Sequence, residues 1–554
     1  MRPLELRPHL LGLVALIATG LLVLWPVLPG IDGLVGDPLG EMDNHVWMFW
    51  SSVGGAPSNA PAPLGLPLMD PVNLPAYAVG ALVSPAAGWA MMRLWNVVLA
   101  MAGGWALSRC FVSGPAVWVG AGVLGTAPFL AGVMDFGITE SWPLGWFALH
   151  AAALIACARH GGLGRALVAG ACLGMIALSG WYHALFGLVL EATLVPVLLW
   201  RHRRPAVVLQ GGVAMVMVLP TLLGFLSVAD GFSARWRAPA PGPPGPRPDW
   251  AELPVFGTDL LNFALPQFDP VHPSKSVYLG VVVLALCALA LLRRPRVTGA
   301  LLMLAAPFGL LALGHWPTLA GKALGFPGPA WFLAEYVSPM RGLSHWHRAI
   351  AGALPFLAVA AAVGADVLLA RLPRRAPLAA AGLVLLVAVD GLVGGGTAWP
   401  RSSGALEAPA VLAELPGSGG VVQLPFDNGR TPFSADPARI YQRWQVAHGR
   451  AISENYEGVD ALLAQSALVA AADAACGVET TLPPYYQPPP QMRALPMPSG
   501  AELDAARAAL RGWGYAHVVV HRGRCRTPVQ AIQVLDQALG PGTHHAEGDV
   551  VWAL

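Results

Sequence analysis

Residues 36–50 carry three acidic residues ahead of two tryptophans, and this is the stretch of the sequence richest in candidate chemistry. From about residue 41 the apolar spacing predicts a helix lying at the membrane interface, with Asp43 one turn before Trp47 on the same face. A carboxylate beside an apolar, Trp-rich surface is costly unless it is used or paired. Asp37 and Asp43 are therefore candidate general bases or metal ligands. The alternative is that they cap the N-terminus of that helix.

A second acidic stretch places Asp135 and Glu140 within one short turn between two apolar runs. Facing a ligand would explain two carboxylates there, so we predict a catalytic role for Glu140 and a substrate contact for Asp135. The alternative places Glu140 in the first turn of the next helix, where an acidic side chain is favourable. His183 follows Trp181 and Tyr182 at another short turn. These two aromatic residues are typical interface anchors, and His183 is a candidate substrate contact.

A cationic cluster precedes a late apolar run and consists of Arg341, His345, His347 and Arg348. Four cationic or ionisable groups at the start of a helix oppose the helix dipole, and a bound anion would explain them. Phosphate fits well because arginine matches its geometry. We predict that these four residues bind a phosphate-bearing substrate. No metal ligands are assigned, because no carboxylate lies close in sequence to the His345-x-His347 pair.

The composition indicates that membrane-spanning helices must position these residues. The chain is 55% apolar and only 12% charged, whereas an ordinary soluble protein is about 25% charged. This excludes a soluble multidomain enzyme, a disordered chain and a small disulfide scaffold. A net charge of +2 without a basic block argues against a nucleic-acid partner. A span needs about 20 mostly apolar residues, and about eleven are predicted: 9–29, 89–112, 115–134, 141–158, 163–180, 184–200, 206–227, 277–292, 297–314, 348–370 and 377–396.

The arginines of the short connections all fall on one side when the N-terminus is placed in the cytoplasm, as the positive-inside rule requires. The acidic turns, the cationic cluster and the C-terminal residues then face outwards. We therefore predict a multi-pass protein of the inner cell membrane. Its predicted domains are a transmembrane domain, 1–396, with outer loops 30–88, 228–276 and 315–347, and an extracytoplasmic α/β domain, 397–554.

The predicted outer domain alternates strand and helix patterns. Cys476 and Cys525 both lie in it, and outside the cytoplasm they could form a disulfide; the alternative is two unrelated buried thiols. Residues 426–430 and 448–450 are predicted to be either ligand-facing or merely solvated loops. The predicted elements are strands at 421–425, 516–521 and 550–552 and helices at 501–512 and 528–539.

The sequence resembles the GT-C superfamily of integral-membrane glycosyltransferases. The resemblance lies in the Asp-bearing first outer loop, the acidic turn 135–140 and the many spans followed by an outer domain. It implies that Asp43 or Asp37 is the catalytic carboxylate, although the acidic residues here are not the adjacent pair of that family. It also implies a polyprenyl-phosphate-linked sugar donor and a glycan, lipid or protein acceptor. The cofactor stays unknown, since some members use a divalent cation and others do not. Three further segments are similar to uncharacterised bacterial members: 70–75, 341–348 and 514–520.

The predicted function is therefore transfer of a hexosyl or pentosyl group at the outer membrane surface. A first-loop Asp accepts a proton from the acceptor hydroxyl, which attacks the anomeric carbon, and arginine stabilises the leaving polyprenyl phosphate. Two alternatives remain, namely a non-catalytic assembly or scaffold protein and a lipid or solute transporter. Transporters keep charges within their spans, and the charges that we place in or near spans are Arg93, Glu191 and Asp366.

Overall fold

The structure is a computed structural model whose contacts divide the chain into two compact units. The transmembrane unit comprises Met1–Ile31, Asp70–Ala76 and Ala90–Ser403, and the C-terminal unit comprises Asp32–Met69, Tyr77–Trp89 and Gly404–Leu554. The structure describes residues 3–24, 33–35, 45–47, 49–50, 71–227, 257–265, 277–337, 340, 343, 345–395, 403–405, 407–425, 437–450, 452, 454–455, 458–459, 466–476, 499–525, 527–545 and 548–554.

Apolar helices make up most of the chain before residue 400, because a helix bonds its own backbone groups where no water is present. One predicted span is interrupted at Pro128, which cannot donate a backbone hydrogen bond. The helices are Pro3–Leu24, Leu74–Leu82, Pro85–Ser108, Val117–Gly125, Pro128–Asp135, Gly145–His160, Leu163–Ser179, Trp181–His202, Ala206–Ser227, Val281–Arg293, Pro295–Ala312, Pro329–Tyr336, Ile350–Leu369 and Ala376–Gly394.

Helices occupy each of the eleven predicted spans, and the prediction of a polytopic helical membrane protein is confirmed. Within the described residues, seven helices, counted with their flanking single turns, are long and apolar enough to cross a membrane: Pro85–Ser108, Gly114–Asp135, Thr139–His160, Tyr182–His202, Pro295–Ala312, Trp346–Leu369 and Ala376–Gly394. Shorter apolar helices occupy the other four predicted spans, at Leu10–Leu24, Leu163–Ser179, Ala206–Pro220 and Val281–Arg293.

Small residues let neighbouring helices approach closely, as is common in membrane bundles. A Cβ atom added to Gly145 would lie 2.4 Å from the carbonyl group of Leu99, and one added to Gly103 would lie 2.6 Å from the Gly145 oxygen. The Pro85–Ser108 and Gly145–His160 helices therefore pack backbone to backbone. This packing fixes the position at which the Gly145–His160 helix begins, shortly after the acidic turn 135–140.

Charged groups at the ends of the spans are paired across helices. Asp366 accepts from Arg294 at 2.8 Å. Asp390, a charge in the last span that the sequence analysis missed, accepts from the Tyr278 hydroxyl and from the Val282 N–H, each at 2.8 Å. The carboxylate therefore caps the N-terminus of the Val281–Arg293 helix from a different helix.

Glu191 takes part in a polar cluster in the middle of the bundle. One carboxylate oxygen lies 2.6 Å from His150 Nε2, and the other accepts from the side-chain amide of Gln210. His150 Nδ1 lies 2.9 Å from the carbonyl oxygen of Ala169. Four consecutive membrane helices are joined by these bonds, each of which would otherwise leave a polar group in an apolar surrounding.

The C-terminal unit contains a four-stranded sheet between two apolar cores. Its strands lie in the order Gly420–Leu424, Tyr515–Val520, Val550–Ala553 and Thr543–His544; the first two are parallel and the other pairs antiparallel. Because side chains alternate along a strand, Val519 packs in one core, whereas Val518 and Val520 pack in the other. Short strands elsewhere in the chain are Gly33–Val35, Thr318–Leu319, Lys322–Ala323, Ser403–Ala405, Glu454–Asn455 and Gly458–Val459.

Helices and one crosslink complete the C-terminal unit. Ser499 and Glu502 form a reciprocal capping box at the start of one helix. A disulfide joins Cys476 to Cys525, with their Cα atoms 4.8 Å apart, as one of the two sequence interpretations predicted. The predicted strands and helices of this region are confirmed. The helices are Ala410–Glu414, Pro437–His448, Ala467–Cys476, Gly500–Gly512 and Pro528–Leu539.

Candidate functional site

A partly buried ion pair joins two of the residues that the sequence singles out. Arg348 Nη1 lies 2.7 Å from Glu140 Oε1, and the side chains are 3% and 29% exposed. Each residue lies in a single helical turn, Thr139–Ser141 or Trp346–Ala349, that leads into a long apolar helix. Gly180 allows the close approach, because a Cβ there would lie 3.1 Å from the Glu140 Cβ. The ion pair places a carboxylate and a guanidinium at the end of the bundle.

Tyr182 connects this ion pair to the cationic cluster. The Arg348 guanidinium lies over the Tyr182 ring, 4.8 Å from its centre. The hydroxyl group lies 3.3 Å from His345 Nδ1, and their donor and acceptor roles depend on the imidazole tautomer. The sequence predicts Tyr182 only as an interface anchor, and its contact with Arg348 is not predicted. Its place in a short turn at the same end of the bundle as Glu140 is the signal that could have found it.

Histidines surround this group. His183 is almost fully buried, with Nδ1 3.0 Å from the Ser179 hydroxyl. His183 lies close enough to Arg348 and Glu140 for both charges to interact with its imidazole ring. His347 is also buried, and its ring centre lies 5.7 Å from that of His345. The structure thus brings Glu140, His183, His345, His347 and Arg348 together, and we name these residues with Tyr182 the bundle-end cluster.

His315 lies next to this cluster, and the sequence analysis missed it. Its ring packs against Trp346 with the ring centres 5.7 Å apart. Desolvation by burial lowers the pKa of His315 to about 4, so the ring is neutral at pH 7. A neutral imidazole adds hydrogen-bonding atoms without adding charge.

Asp135 is buried at the end of the Pro128–Asp135 helix. The fully buried Arg93 donates to the carbonyl oxygen of the adjacent Met134 at 2.7 Å, and its guanidinium lies 5.5 Å from the centre of the Trp142 ring. Arg93 therefore supports the acidic turn from within the bundle.

Three predicted site residues, Asp37, Asp43 and Arg341, lie outside the described residues, and their roles stay predictions. The nearby residues 45–47, 49 and 50 are helical and buried. The prediction that Trp47 lies at the membrane interface is wrong, because its side chain is fully buried and its indole N–H donates to Gln445. An indole carries only a donor and needs an acceptor when it is buried.

Residues 448–450, predicted to be either a ligand-facing or a solvated loop, make several bonds within the C-terminal unit. Gly449, with φ +70°, ends the Pro437–His448 helix, and the Arg450 N–H donates to His448 Nδ1 at 3.0 Å. The Arg450 side chain donates to the carbonyl oxygens of Leu415 and Gly417. The other predicted loop, 426–430, lies outside the described residues.

A second polar cluster lies at the carboxyl ends of the two parallel strands. His521 Nδ1 lies 2.7 Å from Asp549, and Nε2 lies 3.1 Å from the Gln423 amide oxygen. Tyr441 and Trp444 pack against the imidazole at 5.4 and 4.9 Å between ring centres. All three polar side chains are buried, so this cluster belongs to the interior. Within the described parts of the chain, no group of three or more His, Cys, Asp or Glu residues could hold a metal ion.

Comparison with known proteins finds likeness in the backbone alone. No family model matches the chain, and no curated protein is significantly similar to it. The apo oligosaccharyltransferase of Archaeoglobus fulgidus is 13% identical, with a TM-score of 0.46 over 92% of this chain and 69% of that one. ArnT of Cupriavidus metallidurans, solved with undecaprenyl phosphate bound, is 15% identical, with a TM-score of 0.44 over 98% of this chain and 97% of that one.

Proposed function

We propose that the chain transfers a sugar from a polyprenyl-phosphate-linked donor to an acceptor outside the cytoplasm. The observation that carries this proposal is the bundle-end cluster, in which Arg348 is paired with Glu140 and lies on Tyr182 where apolar helices begin. A polyprenyl-phosphate sugar combines a long hydrocarbon chain, an anion and a polar sugar. Binding it needs cationic and hydrogen-bonding groups directly beside an apolar helix surface.

The proposed roles follow the charge that develops in the reaction. Asp43, or Asp37 in its place, accepts the proton of the acceptor hydroxyl as the oxygen attacks the anomeric carbon. The bond between that carbon and the phosphate oxygen breaks, and the polyprenyl phosphate leaves with the electron pair. Arg348 and Arg341 stabilise this anion. Glu140 orients Arg348 through the ion pair, and the step needs neither a nucleotide nor a covalent intermediate.

The neighbouring side chains are proposed to hold the sugar. His183, His345 and His347 offer ring nitrogens at the same end of the bundle, and Asp135 lies in the adjoining acidic turn. Short hydrogen bonds to sugar hydroxyls need such groups held rigidly by their surroundings. This end of the bundle is proposed to face away from the cytoplasm.

Transport is the less favoured alternative. A transport pathway keeps ionisable groups available to its cargo, whereas Glu191 bonds His150 and Gln210, and Asp366 bonds Arg294. These bonds join helices to one another, which favours a structural role for the charges within the bundle.

The experiment measures sugar transfer from defined polyprenyl-phosphate donors to an acceptor panel by the purified protein. We expect Arg348→Gln to lower kcat by about a hundredfold, since one lost transition-state contact costs that much. Arg294→Gln is the matched control, because it also breaks an arginine–carboxylate pair at a helix end; its kcat should stay near that of the wild type. Equal losses in both variants would contradict the proposed site.

A second variant separates the enzyme from a scaffold of the same architecture. Asp43→Asn keeps the shape of the side chain and removes the proposed proton acceptor. Transfer should fall while membrane insertion and thermal stability stay unchanged. Unchanged transfer by Asp43→Asn and Asp37→Asn alike would remove the role of the first-loop carboxylates.

A further inference from the structure

Residues 313–337 directly follow the helix Pro295–Ala312, which is long and apolar enough to cross a membrane. The sequence analysis assigned nearly all of them to the predicted outer loop 315–347. They include only two charged residues, Lys322 and Glu335. Several of their large apolar side chains are nevertheless exposed, namely Leu319, Leu324, Phe326, Phe332, Tyr336 and Val337. An exposed apolar surface of this kind marks contact with a partner or a membrane.

The helix Pro329–Tyr336 points its small residues inwards and its aromatic residues outwards. Ala330 and Ala334 are fully buried, whereas Phe332 is 47% and Tyr336 is 76% exposed. Phe332 and Tyr336 are four residues apart and so share one face of the helix. This arrangement is the reverse of a helix that faces water, and it is typical of helices that pack on neighbours through small residues and face lipid.

The preceding span has the same outward chemistry. Met303 and Leu310 of the helix Pro295–Ala312 are exposed, as expected of a helix surrounded by lipid. The exposed face of Pro329–Tyr336 follows this lipid-facing surface along the chain after only 16 residues, a loop of residues 313–328. Continuity with the membrane surface therefore favours lipid over a protein partner as the occupant of the apolar face.

The segment cannot lie in the middle of the bilayer. A helix of eight residues is about 12 Å long, whereas the hydrocarbon core is about 30 Å thick. The residues before this helix form a short hairpin, Thr318–Leu319 with Lys322–Ala323, instead of a helix. Backbone outside a helix is not tolerated where it faces hydrocarbon, so the boundary between headgroups and acyl chains is the depth that fits.

Backbone bonds fix this segment to the end of the bundle. The Gly328 N–H donates to the His315 carbonyl oxygen at 2.8 Å. The Asp259 carboxylate accepts from the N–H groups of Ala320 and Gly321 at 3.1 and 2.8 Å. The hairpin and the helix are therefore held in place, and their depth follows the depth of the bundle end.

We propose that residues 313–337, here named the interfacial segment, lie in the outer boundary layer of the membrane with Phe332 and Tyr336 inserted among the lipids. Aromatic side chains are enriched at this level, and an interfacial helix buries its apolar face by about 5–10 Å. His315 of this segment packs against Trp346 next to the bundle-end cluster, so the cluster lies at the depth of the lipid headgroups. The inference is independent of the proposed sugar transfer.

The experiment measures the depth of single nitroxide spin labels in the full chain, reconstituted in vesicles of equal parts phosphatidylcholine and phosphatidylglycerol. The labels are carried by Phe332→Cys and Tyr336→Cys. Met303→Cys, in the middle of a span, is the lipid control, and Asp504→Cys, on an exposed helix of the C-terminal unit, is the water control. The free cysteines Cys110, Cys157, Cys172 and Cys287 are replaced with Ala, and the disulfide is kept.

Collision rates of each label with oxygen, which dissolves in lipid, and with nickel ethylenediaminediacetate, which dissolves in water, report the depth. We expect the ratio of oxygen to nickel collisions at residues 332 and 336 to be several times that at residue 504 and below that at residue 303. A ratio equal to that at residue 504 overturns the proposal, because the face then lies in water. Low collision rates with both reagents also overturn it, because protein then covers the face. A ratio equal to that at residue 303 overturns the interfacial depth.

Discussion

Replacing Glu140 with Gln removes the carboxylate that neutralises the buried guanidinium of Arg348. The double-mutant cycle of Glu140→Gln, Arg348→Gln and the combined variant measures how strongly the two side chains are coupled. The pair at Arg294 and Asp366 provides a control cycle, because it has nearly the same N–O distance, 2.8 against 2.7 Å, and a more exposed arginine. Burial is therefore the main difference between the two cycles.

The expected magnitude follows from that burial. Removing one partner of a fully buried ion pair costs about 3–5 kcal/mol. The Glu140 side chain is 29% exposed, which lowers the expected cost of either single substitution to about 2–3 kcal/mol and the coupling to about 2 kcal/mol. The Arg294 side chain is 46% exposed, so its coupling should be below about 1 kcal/mol.

The assay is unfolding of the purified protein in mixed detergent micelles with increasing sodium dodecyl sulfate, followed by tryptophan fluorescence. The free energy of unfolding is compared among the four members of each cycle. A coupling for Glu140 and Arg348 no larger than that of the control would refute the reasoning. It would mean that this pair is solvated as an ordinary surface pair is, and Glu140 could not orient Arg348 in the way the proposed mechanism requires.

The remaining predictions concern stability. Replacing Cys476 and Cys525 with Ser should lower the free energy of unfolding of the C-terminal unit by about 2–4 kcal/mol; thermal unfolding with and without reductant checks this, and a reductant-insensitive wild type would contradict it. Asp390→Asn should cost about 1–2 kcal/mol in detergent unfolding, because a charged cap of a helix N-terminus becomes neutral. Glu191→Ala should cost about 2–3 kcal/mol, since it leaves buried polar groups without their shared acceptor; a change within error of the wild type would argue against the cluster. Burial lowers the pKa of His448 to about 4, whereas its pKa in the unfolded chain is about 6.5. The free energy of unfolding is therefore at its full value above about pH 6.5 and falls as the pH drops towards 4, because the unfolded chain binds the proton first. His448→Gln should flatten the plot of unfolding free energy against pH over this range.

The elements of the fold follow from local patterns, which is why the sequence predicts them well. Long apolar runs indicate spans wherever they occur, and the helix predicted at 501–512 is observed at Gly500–Gly512. The strand predicted at 516–521 is observed at Tyr515–Val520, because alternating cores on its two faces need only period-two spacing. Neither inference requires knowledge of a partner elsewhere in the chain.

The sequence does not indicate which side chains contact each other when they are far apart along the chain. Glu140 and Arg348 are 208 residues apart. The predicted topology places both at the outer end of the bundle, but no local pattern indicates that they form an ion pair. The error at Trp47 has the same origin. A tryptophan among apolar residues fits a membrane interface as well as a protein core, and only the distant Gln445 decides between them.

The contacts at the two ends of the bundle bear on the number of spans. Glu140, Tyr182 and Arg348 meet, although each stands at the start of a different helix. Between Glu140 and Tyr182 the chain forms the helices Gly145–His160 and Leu163–Ser179. Because the first is long and apolar enough to cross a membrane, the chain returns to the same end only when the second crosses as well.

The opposite end gives the same parity. There the Arg159 side chain donates to the Cys110 carbonyl oxygen, and Arg294 pairs with Asp366, each contact joining ends that an even number of crossings separates. Among the shorter apolar helices, Leu163–Ser179 is therefore favoured as a true crossing. Arg159 and Arg294 thus lie at one end of the bundle and the bundle-end cluster at the other. The proposal that the cluster faces away from the cytoplasm rests on the positive-inside rule.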